Sequence, residues 1–215
     1  MTEGELAYNS FVQLIRRGES KTHSTIFFQG GFSAYKKAAL NEFDCETDDS
    51  GTALNIVQKK GRTLIIPDAL FYTMFPASWK NKVTIKLRRA AQLQRIWIKS
   101  LKLLIKGELV LPKKIAIPEI LLHLFNPVFF VALLVATVFL FVEYPVLLLA
   151  FSAVLLPTIL VQKTRVSLIE LVQNNLILIA ALSSSIFNKQ FRLWSTVKES
   201  RSLLNGDTLE KLQLI

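Results

Sequence analysis

A chain of 215 residues that is 51% hydrophobic has room for one soluble domain together with membrane helices. Its net charge of +10 is concentrated: eleven of 26 Lys and Arg lie between Lys80 and Lys114 beside one acid, Glu108, while the remainder balances at fifteen each. One cysteine (Cys45) and two histidines (His23, His123) exclude a disulfide framework and a Cys- or His-rich metal centre, and no nucleic-acid motif accompanies the basic stretch, so nucleic acid is not an expected partner.

The first twenty residues carry Glu3, Glu5, Arg16 and Arg17 and no long apolar core, so no secretory signal peptide is expected and the soluble part is placed on the cytoplasmic side. Residues 6–15 have helical spacing, with Phe11, Leu14 and Ile15 on one face. Residues 25–28 read as a short strand ended by Gly30 and Gly31, and residues 33–40 as a short helix. Asp48, Asp49 and Ser50 precede a helix over 52–60, with acids at its positive end, Lys59 and Lys60 at its negative end, and Gly61 as its stop. Residues 63–66 read as a second strand, and Pro67-Asp68-Ala69 leads to a third over 70–74. Residues 1–78 are thus expected to be a mixed α/β unit.

Region 79–118 is read as a basic interfacial helix. Arg88, Gln92, Arg95, Lys99, Lys102 and Lys106 alternate spacings of four and three, which sets them on one stripe, and Trp97 is expected at the membrane boundary. The alternative is an amphipathic helix packed on the soluble part. Region 119–188 is the membrane region. Residues 120–142 contain no Asp, Glu, Lys or Arg and would measure roughly 34 Å as a helix, enough to cross the hydrocarbon layer. Glu143-Tyr144-Pro145 breaks the run, and residues 146–161 return over roughly 24 Å to the basic residues Lys163 and Arg165. A third apolar segment, 176–187, follows the polar Glu170, Gln173, Asn174 and Asn175, and is expected to be re-entrant or interfacial; residues 189–215 form a cytosolic tail. The expected location is the plasma (inner) membrane, as a multi-pass protein.

Four local patterns precede the first span. Gly30 and Gly31, followed by Lys36 and Lys37, form a turn that can also let backbone approach a ligand. Asp48 and Asp49 can cap a helix or supply a general base. Pro67-Asp68-Ala69 is the third. The fourth, Arg88 and Arg89, suits phosphate or diphosphate, or a lipid headgroup.

In this order and spacing, the patterns resemble the C-terminal half of family 2 glycosyltransferases, the inverting, membrane-attached GT-A group that includes cellulose and hyaluronan synthases. The resemblance covers roughly residues 8–110. It implies a partial GT-A (Rossmann-like) α/β domain, then an interfacial helix and a transmembrane helical hairpin. It further implies that Asp49 is the catalytic base with Asp48 its neighbour. Gly30, Gly31, Lys36 and Lys37 would shape the substrate site. Arg88 matches the Arg of a Gln-x-x-Arg-Trp motif, Ile85 and Arg89 replacing its Gln and Trp; a shifted register uses Gln92, Arg95 and Trp97 with one extra residue before the Trp. The donor would be a nucleotide sugar, the acceptor lipid-linked or a glycan, and membrane lipids the surroundings. Family members hold Mg or Mn on an Asp-x-Asp in their first half; its ligands are not expected here, and a separate N-terminal catalytic half is the implied partner. The alternative is a non-catalytic membrane adaptor for another chain. A transporter fits poorly, because the two spans offer no buried charge.

Overall fold

The computed structural model describes residues 3–28, 32–40, 47–69 and 78–186. Among them every regular element is helical: α1 (Glu3–Thr22), a 3-10 turn (Lys37–Ala39), α2 (Asp48–Gln58), α3 (Trp79–Ile105), α4 (Lys113–Ile120), a π-helical turn (Leu121–Phe125), α5 (Asn126–Glu143), α6 (Pro145–Leu160) and α7 (Gln162–Ile186). The expected α/β, GT-A-like fold is therefore overturned, since no strand occurs among the described residues.

Its physical reason is visible where two of the strands were expected. The extended segments around Thr25 and Thr63 do lie side by side, joined by one backbone bond from Thr25 N to Thr63 O at 3.0 Å. Hydroxyl groups then take the places a ladder would fill. Ser24 Oγ accepts from Thr63 N at 3.2 Å, Ser20 Oγ accepts from Ile65 N at 2.9 Å, and Thr63 Oγ1 donates to Thr25 O at 2.6 Å. Backbone demand is met by side chains, so the pair stops at one bond. Of residues 33–40, only Lys37–Ala39 forms a turn of helix. The strand over 70–74, the Gly30-Gly31 turn and the tail lie outside the described residues.

The helix ends follow local chemistry. At the C-terminus of α2 the left-handed residue is Lys60 (φ 62°), with Lys60 N donating to Val57 O and Gly61 N to Ile56 O. Gly61 is required for a different reason: a Cβ there would sit 2.6 Å from Ile56 Cγ2 and 3.0 Å from Ile56 O. Ser78 caps α3 by accepting from Asn81 N, and Gly107 (φ 73°) ends it.

The core forms where α2, α3 and α4 meet, from Leu54, Val57, Ile96, Trp97, Ile115 and Ala116, with Ile26 added by the extended segment. Trp97 is 1% exposed and stacks on His123 with centroids 6.0 Å apart, so it is a core residue and not a boundary anchor. A second, smaller cluster joins Ala90 and Ala91 of α3 to Ile177 and Ala181 of α7. Small residues there let the two helices approach closely.

The π-helical turn sits between two prolines. Pro127 lacks the N–H that would reach His123 O four residues back. Gln94 Nε2 meets that carbonyl at 3.4 Å and also donates to Leu178 O at 2.9 Å, linking α3, the turn and α7.

Among the described residues, two helical stretches are long and apolar enough to cross a membrane: Lys113–Glu143, 31 residues with the π turn inside it, and Thr164–Ser184, 21 residues. Pro145–Leu160 is apolar but shorter. The pair differs from the one expected. Two of the polar residues that seemed to interrupt the third segment, Glu170 and Asn175, are satisfied within the fold. Glu170 pairs with Lys86 at 3.4 Å, Asn175 Oδ1 accepts from Asn126 Nδ2 at 2.8 Å, and Asn175 Nδ2 donates to Leu171 O, so the helix runs through them. The break at Tyr144 is as expected, with Phe141 and Phe151 meeting across it.

Candidate functional site

The head of α2 is where sequence-predicted site residues come together. Asp49 lies in the first turn, and the segment 32–36 folds over it. Ser33 Oγ and the Tyr35 hydroxyl both donate to Asp49 Oδ1, each at 3.3 Å. Next to it, Ser50 Oγ accepts from Phe28 N at 3.1 Å and fixes the incoming chain. Desolvation raises Tyr35 above the usual phenol range; the Ser33 hydroxyl opposes this, while the Asp49 charge reinforces it. The result is a partly exposed carboxylate in a notch lined by hydroxyls, able to accept a proton from a hydroxyl presented by solvent or substrate.

Lys36 and Lys37 are exposed beside this notch, at the start of the 3-10 turn. Asp48 begins α2. Gly30 and Gly31 lie outside the described residues.

The basic residues of α3 are set differently. The α3 cation that reaches α2 is Lys99, whose Nζ donates to Asn55 Oδ1 at 3.0 Å. Arg88 and Arg89 stand between Leu87 and Ala90, both of which pack toward α7. Arg88 is partly buried, while Arg89 is exposed as a whole residue with its guanidinium end partly withdrawn from solvent. Desolvation at the guanidinium, and then the charge of Arg88, lower Arg89 from the usual range. Gln92 and Arg95 are partly buried farther along α3. No bond in the structure couples Asp49 with Arg88 or Arg89.

Neither Ser33 nor Tyr35 was singled out from sequence, although both sit between the glycine pair and the lysine pair. A second polar cluster was missed entirely. Glu19 of α1, Glu119 of α4 and His123 of the π turn converge. Thr25 Oγ1 donates to Glu19 Oε2 at 2.7 Å, and His123 Nδ1 lies 3.2 Å from Glu119 Oε2 and 2.9 Å from Glu119 O. Glu119 is within hydrogen-bonding reach of Glu19. Burial lifts Glu19 to about 7; the Glu119 charge adds to this, and the Thr25 hydroxyl and Arg16 work against it. Glu119 and His123 share an i,i+4 spacing, but Glu19 lies 100 residues before Glu119 and no spacing rule links it to them.

A divalent metal of the kind implied by the resemblance does not fit what is present. Asp49 Oδ1 is met by two hydroxyl donors, and no group of three or more His, Cys, Asp or Glu placed to hold a metal ion occurs among the described residues.

Comparison of the chain with models of protein families, with curated proteins and with solved structures finds no match.

Proposed function

We propose that this chain is the acceptor-side, membrane-associated part of a glycosyltransferase, carried on a helical frame and not on a GT-A sheet. The supporting observation is the notch at the head of α2. It gathers Asp49, Ser33 and Tyr35 beside two exposed lysines and leaves Asp49 partly exposed. In this reading Asp49 Oδ2 takes the proton of that hydroxyl. The hydroxyl oxygen attacks the anomeric carbon of a nucleotide sugar from the side opposite the diphosphate. The bond to the leaving oxygen breaks, and the diphosphate departs with its electron pair. Lys36, Lys37, Arg88 and Arg89 supply positive charge for the diphosphate, which Arg would hold by forked hydrogen bonds. A separate nucleotide-binding chain completes the donor site. The acceptor is lipid-linked or a glycan, and the apolar helices hold the protein in the plasma (inner) membrane with α1 and α2 on the cytoplasmic side and α3 at the membrane interface.

A second reading has its own observation. The two bonds onto Asp49 also latch segment 32–36 to α2, a structural role sufficient for a non-catalytic adaptor that recruits a catalytic chain.

The test is radiolabelled sugar transfer from a panel of nucleotide sugars by membranes containing the full chain, with and without the polypeptide encoded immediately upstream. Transfer that disappears in Asp49→Asn, with membrane insertion intact, is the expected result. Absence of transfer in both conditions, with expression confirmed, favours the adaptor. Arg88→Ala should weaken nucleotide-sugar or acceptor binding, read as a raised KM; unchanged kinetics would move the phosphate contacts to Gln92 and Arg95.

A further inference from the structure

An open apolar trough of about 580 Å³ runs between α3 and α7. Trp79, Val83 and Leu87 form one wall at successive turns of α3; Leu168, Val172 and Leu176 lie on the other. Gln173 is the one polar side chain lining it. The two helices run in the same direction, because Lys86 meets Glu170, Ala90 and Ala91 meet Ile177 and Ala181, and Gln94 reaches Leu178 O. Their N-terminal ends therefore lie at the same end of the trough.

That end is cationic. Lys80 stands next to Trp79, and Arg165 lies three and four residues before Leu168 and Ile169, on the face of α7 that lines the trough; both cations are exposed. The nearest acid on either helix is Glu170, which Lys86 already neutralises. An apolar channel with unbalanced positive charge at one mouth is complementary to an amphiphile with an anionic head and a hydrocarbon tail. Its length decides which kind. From Leu168 to Ala180 the trough follows α7 for roughly 18 Å, close to half of a hydrocarbon core of about 30 Å. One wall is also a helix long and apolar enough to cross a membrane.

We propose that the α3–α7 trough is a binding site for one acyl chain of an anionic bilayer phospholipid, whose headgroup phosphate is held by Lys80 and Arg165. The site is separate from the Asp49 notch and does not depend on the glycosyltransferase reading. It makes the docking of α3 on α7 sensitive to lipid charge, since the lipid would bridge both helices.

The experiment uses the full chain in nanodiscs carrying a trace of phosphatidylglycerol with a photoactivatable diazirine in its acyl chain. A parallel set carries the same reporter on phosphatidylcholine. Labelled peptides are mapped by mass spectrometry. The expected result is labelling concentrated on residues 79–87 and 168–180, about tenfold stronger from the anionic lipid, in line with the attraction of two basic residues near a charged headgroup. Lys80→Glu with Arg165→Glu should remove that preference. Val172→Trp, which fills the trough, should remove labelling there while sparing labels on α5 and α6. Equal labelling from both lipids, spread evenly over the apolar helices, would mean boundary lipid only and overturn the site. No label in the trough from either lipid, with α5 and α6 labelled, would also overturn it and assign the trough to another part of this chain. Free inorganic phosphate added at millimolar concentration separates head from tail: a lipid site keeps its labelling, and a phosphate site loses it.

Discussion

Asp49 and Glu19 are two carboxylates one helix apart in the chain, each accepting a hydrogen bond from a hydroxyl, and the fold gives them opposite tasks. Asp49 sits at the mouth of an exposed notch, with Ser33 and Tyr35 on one oxygen. Glu19 is partly buried between helices, takes one hydroxyl bond from Thr25, and faces a second carboxylate, Glu119, which is itself against His123. Burial and a like charge push Glu19 to about 7. A part-exposed carboxylate at the head of a helix is one that a substrate hydroxyl could reach. A buried one facing another acid is suited to holding a proton between helices. Hydroxyl contacts alone do not separate a site from a joint; the setting does.

The largest expected effect sharpens this difference on the Asp49 side. Asp49→Asn keeps the shape and removes the base, so sugar transfer should fall by roughly 100- to 10,000-fold. Thermal stability should change little, because the side-chain amide oxygen can still accept from Ser33 and Tyr35. Circular dichroism melts and transfer rates on the same preparation separate the two. A variant that transfers normally returns Asp49 to the role of a latch.

On the Glu19 side the effect is in stability and depends on pH. The folded state keeps the proton to about 7 while an unfolded Glu releases it near 4.5, so folding binds a proton between those values. Stability should therefore be greatest below about 4.5, decline as pH rises to about 7, and level off above it. With solvent screening of a partly buried group, the decline should be about 2 kcal/mol. Denaturant melts at several pH values read this directly. Glu19→Gln, which stays neutral, should flatten the profile. Arg16, Thr25 and Glu119 face the group, with His123 against Glu119, and Glu119→Gln should flatten the profile only in part, because burial is the larger cause.

These two sites were unequally legible in the sequence. The acids at the head of α2 are local, and a helix start with Asp48, Asp49 and Ser50 can be read from residue types alone. The long basic helix and the apolar runs were legible for the same reason, since periodicity is a local property. The strands failed because Thr25 and Thr63 have the right composition for a sheet, yet Ser20 and Ser24 satisfy the neighbouring amides from outside the pair. α7 was undervalued because Glu170 and Asn175 look like interruptions until Lys86 and Asn126 are seen to meet them. Glu119 and His123 are an i,i+4 pair, but the arrival of Glu19 beside them could not be found in advance, as it depends on how α1 packs.

The smallest expected effect bears on whether the Asp49 notch is only a latch. Tyr35→Phe deletes one of the two donors to Oδ1 and should cost about 0.5–1 kcal/mol. If that bond is all Asp49 provides, the double variant with Asp49→Asn should be no less stable than the worse single variant. Transfer should then follow stability in all three. If Asp49 is the base, Tyr35→Phe should keep most of the activity while Asp49→Asn does not, and the double variant should be as inactive as Asp49→Asn. The tyrosine itself offers an independent reading. Its titration lies above the usual range first because of desolvation and further because of the Asp49 charge. Ultraviolet titration of Asp49→Asn should move Tyr35 partway back down and not the whole way. A full return would mean that the carboxylate, and not the partial burial of the ring, sets the environment of the phenol. No movement would mean that the two side chains are not held together in solution, and the notch would then lose its claim to position a substrate.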